Sequence, residues 1–306
     1  MTVRELRASG LESLALTTEL LQRVRLADPT AGVWEAADLQ GWWRTPRSSD
    51  TVEQLFWADD VGPVAAVVLT DWGMTWGCDP IVVPGVAPVT LSNVWQRGLL
   101  DVDDLGLDEV EILVRDDDSE LGALVAASGY LPRTEQSGIT WMDLEYRPVP
   151  ASIPDGFRLV DRATRTGRPH PMHRRSGESV DDRLRQCSLY DPWLDLAVES
   201  TDGEVAGYAL FWFDPVTKVG LLEPMRVEEP HRRRGLARAL IGVGLERLAE
   251  RGAARAKVGF GSEAVLKLYT GSGFRLASMT TPYRWTRPPT ELPAELPGSS
   301  TDAGLS

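Results

Sequence analysis

The sequence predicts an α/β protein, more closely an α+β arrangement with a mixed sheet, built twice in one chain. Three observations predict it. "GPVAAVVL" (Gly62–Leu69) and "GEVAGYAL" (Gly203–Leu210) both read G-x-V-A-x-x-x-L, a turn glycine opening an apolar strand. "SGY" (Ser128–Tyr130) and "SGF" (Ser272–Phe274) each follow an amphipathic helical stretch, and each precedes a tryptophan, Trp141 or Trp285, by eleven residues. The three pairs are offset by 141, 144 and 144 residues, in order, as duplication of one unit requires.

The bulk properties fit this plan. A chain of 306 residues accommodates two units, and 42% hydrophobic with 25% charged residues is ordinary globular composition. No apolar run is long enough for a bilayer. The first segment, "MTVRELRASGLESLALTTELL", is charged and amphipathic without the apolar core of a signal peptide, so the expected location is cytoplasmic. Two cysteines, Cys78 and Cys187, exclude a disulfide framework. Prolines and a closing glycine in "EYRPVPASIPDG" mark a linker, giving one unit over 1–146, a linker over 147–155 and a second unit over 156–287. The Pro-, Ser- and Gly-rich 288–306 reads as a disordered tail.

Charge is unevenly divided. Residues 1–150 carry 10 Lys/Arg against 25 Asp/Glu, a balance of −15, whereas residues 151–306 carry 22 against 20, a balance of +2. The second unit is therefore the one that suits an anionic ligand, and nucleic acid does not suit so acidic a chain.

In the second unit the residue pattern gives a helix around "SVDDRLRQCSLY" and strands near Leu194–Ser200, Val205–Phe213 and Val219–Val227. A helix near Leu236–Glu250 follows, its apolar face formed by Leu236, Leu240, Ile241, Leu245 and Leu248, and Gly252 stops it. A strand near Ala254–Phe260, a helix near Ser262–Gly271 and a strand near Ser278–Thr286 complete the unit. Pro224 cannot donate a ladder hydrogen bond, which predicts a bulge or break in its strand.

The long helix opens on "VEEPHRRRGLARAL". Arg232, Arg233 and Arg234 run into Gly235, then Leu236, Ala237 and Arg238. A helix N-terminus has unpaired amides and partial positive charge; glycine lets an anion reach the backbone, and arginine suits bidentate phosphate contacts. An isolated run of this kind reads as a solvated cap, but its place between a strand and an amphipathic helix reads as a phosphate cradle.

These residues resemble the GCN5-related N-acetyltransferases, whose cofactor loop reads R/Q-x-x-G-x-G/A. Arg232, Gly235 and Ala237 match it, and "SEAVLKLYTGSGF" keeps Leu268, Tyr269, Gly273 and Phe274 of a second pattern, with Ser262 and Val265 departing from it. The resemblance covers Gly156–Thr286 well and the first half as a degenerate copy, in the manner of tandem actinobacterial acetyltransferases. It implies acetyl-CoA as cosubstrate, with its pyrophosphate on the amides of Arg232–Arg238 and its pantetheine arm along the Met225–Arg226–Val227 backbone, where the sheet splays. It implies Tyr269 as general acid, no metal, and a small-molecule primary amine as acceptor, attacking directly in a ternary complex. Membrane and nucleic-acid partners are not expected; a monomer or homodimer is.

Glu223, in "LLEPMRV", has two readings: a partly buried base for the amine, or an ion-pair partner of Arg226. Its strand position favours the base. Glu228 and Glu229 read as partners of Arg232 and Arg234 or as helix caps. His170 and His173, among prolines, read as surface residues, and Cys187 reads as packed. The repeat offset puts the first copy's counterpart of the arginine loop near Gly85–Trp95, with no Arg-Gly pair, and the counterpart of Tyr269 at Val125. The first copy therefore reads as structural, with Trp42, Trp43, Arg44 and Arg47 of "LQGWWRTPR" at an inter-domain face or substrate lid. Because Ser262 and Val265 depart from the pattern, the alternative is a non-catalytic CoA-binding sensor or docking module; transfer of a longer acyl group is a third reading.

Overall fold

The structure is a computed structural model and describes residues 2–86, 89–135 and 137–288. The tail foreseen over 288–306 lies outside the described residues from 289 onward.

In chain order the first copy contains β1 (Arg4–Ala8), α1 (Gly10–Ala27), α2 (Ala36–Trp43), β2 (Gln54–Ala58), β3 (Pro63–Asp71), β4 (Trp76–Val82), α3 (Leu91–Asp104), β5 (Glu109–Arg115), α4 (Ser119–Ala127), β6 (Leu131–Pro132) and β7 (Ser137–Asp143). The second contains β8 (Phe157–Asp161), α5 (His173–Ser176), α6 (Val180–Gln186), β9 (Asp195–Ser200), β10 (Val205–Asp214), β11 (Val219–Val227), α7 (Leu236–Glu250), β12 (Arg255–Phe260), α8 (Glu263–Thr270) and β13 (Arg275–Thr286). The two copies repeat helix and strand in the same sequence, and the G-x-V-A-x-x-x-L segments become β3 and β10.

All these strands join one mixed sheet, ordered β1-β2-β3-β4-β5-β13-β7-β12-β11-β10-β9-β8, with β6 on the side of β13. The final strands are exchanged. β7 of the first copy pairs with β12, setting Trp141 opposite Lys257, and β13 of the second pairs with β5, setting Trp285 opposite Val110. The two exchanged strands then pair antiparallel with each other at the centre.

Period-2 alternation fixes which side chains are buried. On β5, Val110, Ile112 and Val114 are buried while the residues between them are only half-buried. Among the described residues three large apolar clusters result, beside a small one of Ile139, Trp141 and Val219. One lies around α7 in the second copy, one around α3 in the first, and the third runs across both copies from Leu20 and Phe56 to Leu210 and Trp212. Helix α2 packs on β10 and β11 of the other copy. Around it, the Trp43 indole donates to Gln186 at 2.8 Å, and the Gln40 amide donates to the Ser188 hydroxyl at 2.8 Å.

A buried charge network bolts the copies together. Arg25 on α1 pairs with Glu35 at 2.5 Å, and Lys257 on β12 reaches Glu35 at 3.2 Å and Asp38 on α2 at 3.6 Å. Charges out of water persist only when paired in this way.

Three local expectations need correction. Helix α6 ends at Gln186, short of Tyr190, because Cys187 turns to extended geometry, its thiol against the Gln40 carbonyl. His170 is not a surface residue: it is 2% exposed, its Nε2 lies 2.7 Å from Asp195, and the Tyr190 hydroxyl donates to the same carboxylate. Glu228 pairs with Arg175 at 2.9 Å and Arg226 at 3.4 Å rather than with the arginines of the loop.

Candidate functional site: a cleft in the second copy

Strands β11 and β12 are parallel neighbours only from Val219 to Leu221. Beyond Leu221, β11 stays paired to β10 alone, so one edge of Leu222–Val227 is left without a strand partner. The pairing steps from Ala209↔Met225 to Phe211↔Leu222, so two steps on β10 span three on β11, a bulge at Glu223–Pro224. Proline's missing N–H accounts for the interruption. The Glu223 carbonyl is not lost to the ladder's disruption, since the Trp212 indole donates to it at 2.7 Å.

After β11 the chain turns through a short 3₁₀ segment, Glu229–His231, into α7. Arg233 and Gly235 both have positive φ, +61° and +84°. Alternation of handedness turns successive amides to the same side, the concave arrangement that receives anions. No side chain caps α7, so its first N–H groups stay free, in contrast to α3, where Thr90 accepts from the Asn93 amide, and α4, where Asp118 accepts from the Leu121 amide.

The loop and the open edge of β11 enclose a cavity of about 350 Å³. Val227, Arg232, Arg233, Gly235, Leu236, Ala237 and Arg238 line it, joined by His231 and Leu268. Three residues singled out with them do not line it. Arg234 lies over the Phe157 ring at 5.8 Å, Arg226 is paired with Glu228, and Met225 packs into the apolar cluster beneath α7. His231 and Leu268 extend the site beyond the residues selected from the sequence, although His231 adjoins the arginine run and Leu268 belongs to the matched pattern.

Tyr269 sits on α8, 6% exposed, with its ring tilted against Phe274 at 5.9 Å. Burial raises its phenol above the ordinary value, and the negative charge of Glu223 raises it further, so the two groups are within electrostatic reach, although neither is among the residues lining the cavity. Glu223 is itself raised, chiefly by burial, with Asp38 adding to the effect and Arg44 opposing it. The positive charge acting on Glu223 is thus Arg44 of the first copy, not Arg226. Arg44 follows α2 directly, and its Nε is buried without a hydrogen-bond partner. The "GWWR" segment reads as an inter-domain face, but the influence of the Arg44 charge on Glu223 depends on folding that brings together residues far apart in sequence.

Ser262, a departure from the expected pattern, caps α8 by accepting from the Val265 amide at 3.4 Å. Serine performs this cap as well as asparagine does, so the helix carrying Tyr269 starts properly. Among the described residues, no three His, Cys, Asp or Glu side chains are grouped to hold a metal ion, and no helix is long and apolar enough to cross a membrane.

Comparison with known proteins agrees with this geometry. Residues 158–274 match the model of the acetyltransferase (GNAT) family. The structure is similar to a tandem GNAT protein from the clavulanic acid biosynthesis pathway, in a form without AcCoA, at 17% identity and a TM-score of 0.68, covering 95% of this chain and 100% of that one. It is also similar to a GCN5-related N-acetyltransferase from Sphaerobacter thermophilus, at 19% identity and a TM-score of 0.56, covering 95% and 98%. A putative acetyltransferase from Pyrococcus horikoshii gives 10% identity and a TM-score of 0.54 over 94% and 90%. No curated protein matches the sequence.

Proposed function

We propose, from the match of residues 158–274 to the GNAT family and a fold similar to that of a tandem GNAT protein, that the chain is an acetyl-CoA-dependent N-acetyltransferase acting on a primary amine of a small molecule. The observation that carries this reading is the cleft of the second copy. Uncapped α7 amides, the positive φ of Arg233 and Gly235, and three lining arginines suit a diphosphate. The unpaired edge of β11 gives an extended pantetheine arm a strand to lie beside.

Acetyl-CoA supplies a thioester carbonyl that an amine can attack. The backbone amides of Met225 and Val227, which face away from β10, are the groups to polarise that carbonyl. Glu223, raised by burial, takes the proton that the amine must shed. As nitrogen bonds to the acyl carbon and the carbon–sulfur bond breaks, Tyr269 delivers a proton to the departing sulfur. A phenol held well above its ordinary value keeps that proton until it is needed. Helix α2 of the first copy, with Arg44 beside Glu223, walls the acceptor side.

A thiol-release assay over a panel of amines, alongside calorimetry with acetyl-CoA, tests the proposal. One equivalent of acetyl-CoA binds, at least one amine drives release, and Tyr269→Phe lowers kcat about 100-fold with acetyl-CoA affinity kept. Unchanged kcat in Tyr269→Phe removes the tyrosine from the mechanism. Binding without release for every amine replaces the enzyme with a CoA-binding sensor.

A further inference from the structure

The first copy holds a larger cavity, about 650 Å³, in the size range of small-molecule sites. It arises from the same divergence of strands: β4 and β5 are parallel neighbours only at Trp76 and Gly77, and β4 then runs on to Val82 paired with β3 alone. Its lining shares no residue with the cleft of the second copy.

The lining chemistry is different. Ile81, Val83, Ile112 and Leu121 give apolar walls. Asp79 points to the same face of β4 as Ile81, with Val83 just past the end of the strand, and is only 7% exposed. Its Oδ1 accepts from the Trp34 indole at 2.9 Å, but among the described residues no arginine or lysine pairs with it, and the Glu111 charge works against its ionisation. Burial pushes its carboxyl up to about 6. The cation in the lining, Arg115, is committed to Asp117 at 2.5 Å and to the Thr30 carbonyl. Asp118 and Glu120 add negative charge. A diphosphate would meet carboxylates here and no free guanidinium; an ammonium would supply the counter-charge that Asp79 lacks.

We propose that this cavity binds a small apolar amine, its ammonium paired with Asp79 and its hydrocarbon body against Ile81, Val83, Ile112 and Leu121. The site is independent of the acetyl-transfer reading and does not require catalysis.

Calorimetry on the full chain with phenethylamine, 2-phenylethanol and 3-phenylpropionate tests it. The amine binds with one equivalent and about tenfold more tightly than the alcohol, and the carboxylate gives no heat. Asp79→Asn weakens the amine about tenfold and leaves the alcohol unchanged. Ile81→Trp, which fills the cavity, removes both. Glu223→Gln leaves amine binding as it was, which separates this site from an acceptor cleft in the second copy. Equal affinity for amine and alcohol, or no effect of Asp79→Asn, overturns the proposal. Loss of the amine in Glu223→Gln overturns it by locating the amine elsewhere. A second equivalent of CoA, abolished by Ile81→Trp, overturns it in favour of a diphosphate. If Asp79→Asn does not fold, the amine–alcohol difference in the unmodified chain and the Ile81→Trp result decide.

Discussion

The two copies open the same gap and furnish it oppositely. In each, a parallel pair of strands holds for two or three residues and then splays, and a helix follows the leading strand after a loop. In the second copy the helix start is uncapped, preceded by three arginines and two residues of positive φ. In the first the helix start is capped by Thr90, and the gap holds a buried Asp79. The gap belongs to the backbone, whereas its ligand preference belongs to a handful of side chains.

The comparison treats the copies as separately specialised yet mechanically joined, and the joint is the first thing to break. Lys257→Met leaves Glu35 with Arg25 alone and takes from Asp38 the cation it pairs with among the described residues, and costs about 3–5 kcal/mol. Urea unfolding followed by tryptophan fluorescence should show one transition moved to lower denaturant. Two separated transitions, with only one displaced, would mean that the copies fold alone despite their exchanged strands.

Ligand preference is the next target. Gly235→Asp forces a side chain into left-handed geometry and adds a carboxylate beside the cradle. Together these weaken acetyl-CoA by about 100-fold. Gly85 also has positive φ, +76°, and lines the cavity of the first copy. Gly85→Asp carries a similar backbone strain but leaves acetyl-CoA affinity intact by calorimetry. Equal losses in the two variants would erase the distinction between the gaps.

How much of this was readable without coordinates follows from the range of each interaction. Helix α7 and strands β9 to β12 lie within a residue or so of where periodicity, Gly235 and Gly252 put them, because those signals are local. The exchange of β7 and β13 was not readable. Trp141 and Trp285 stand at equivalent places in the repeat, and their alternating pattern is the same whichever copy's sheet receives the strand. His170 was misplaced for a related reason: its proline-rich surroundings do specify a loop, but Asp195 and Tyr190, which hold it inside, are brought to it by folding. At the site, the arginine loop and Tyr269 came from linear patterns, whereas Arg44 required knowing that α2 packs on the other copy's β10 and β11.

Arg44 also gives the finest test of how the first copy serves the second. As the proposed base, Glu223 would work only when deprotonated, so activity should rise with pH through its pKa. Burial holds that pKa above the ordinary carboxylate value, and the Arg44 charge pulls it part of the way back. Removing the charge in Arg44→Met lets the pKa climb, and the acid limb of kcat/KM moves to higher pH while the plateau above it stays nearly level. Arg44→Lys keeps the charge and leaves the limb close to its original place. An acid limb that ignores both substitutions, yet disappears in Glu223→Gln, would show Glu223 acting without electrostatic help from the other copy. A limb that survives Glu223→Gln would assign the base to another group and leave α2 as a wall of the cleft and nothing more.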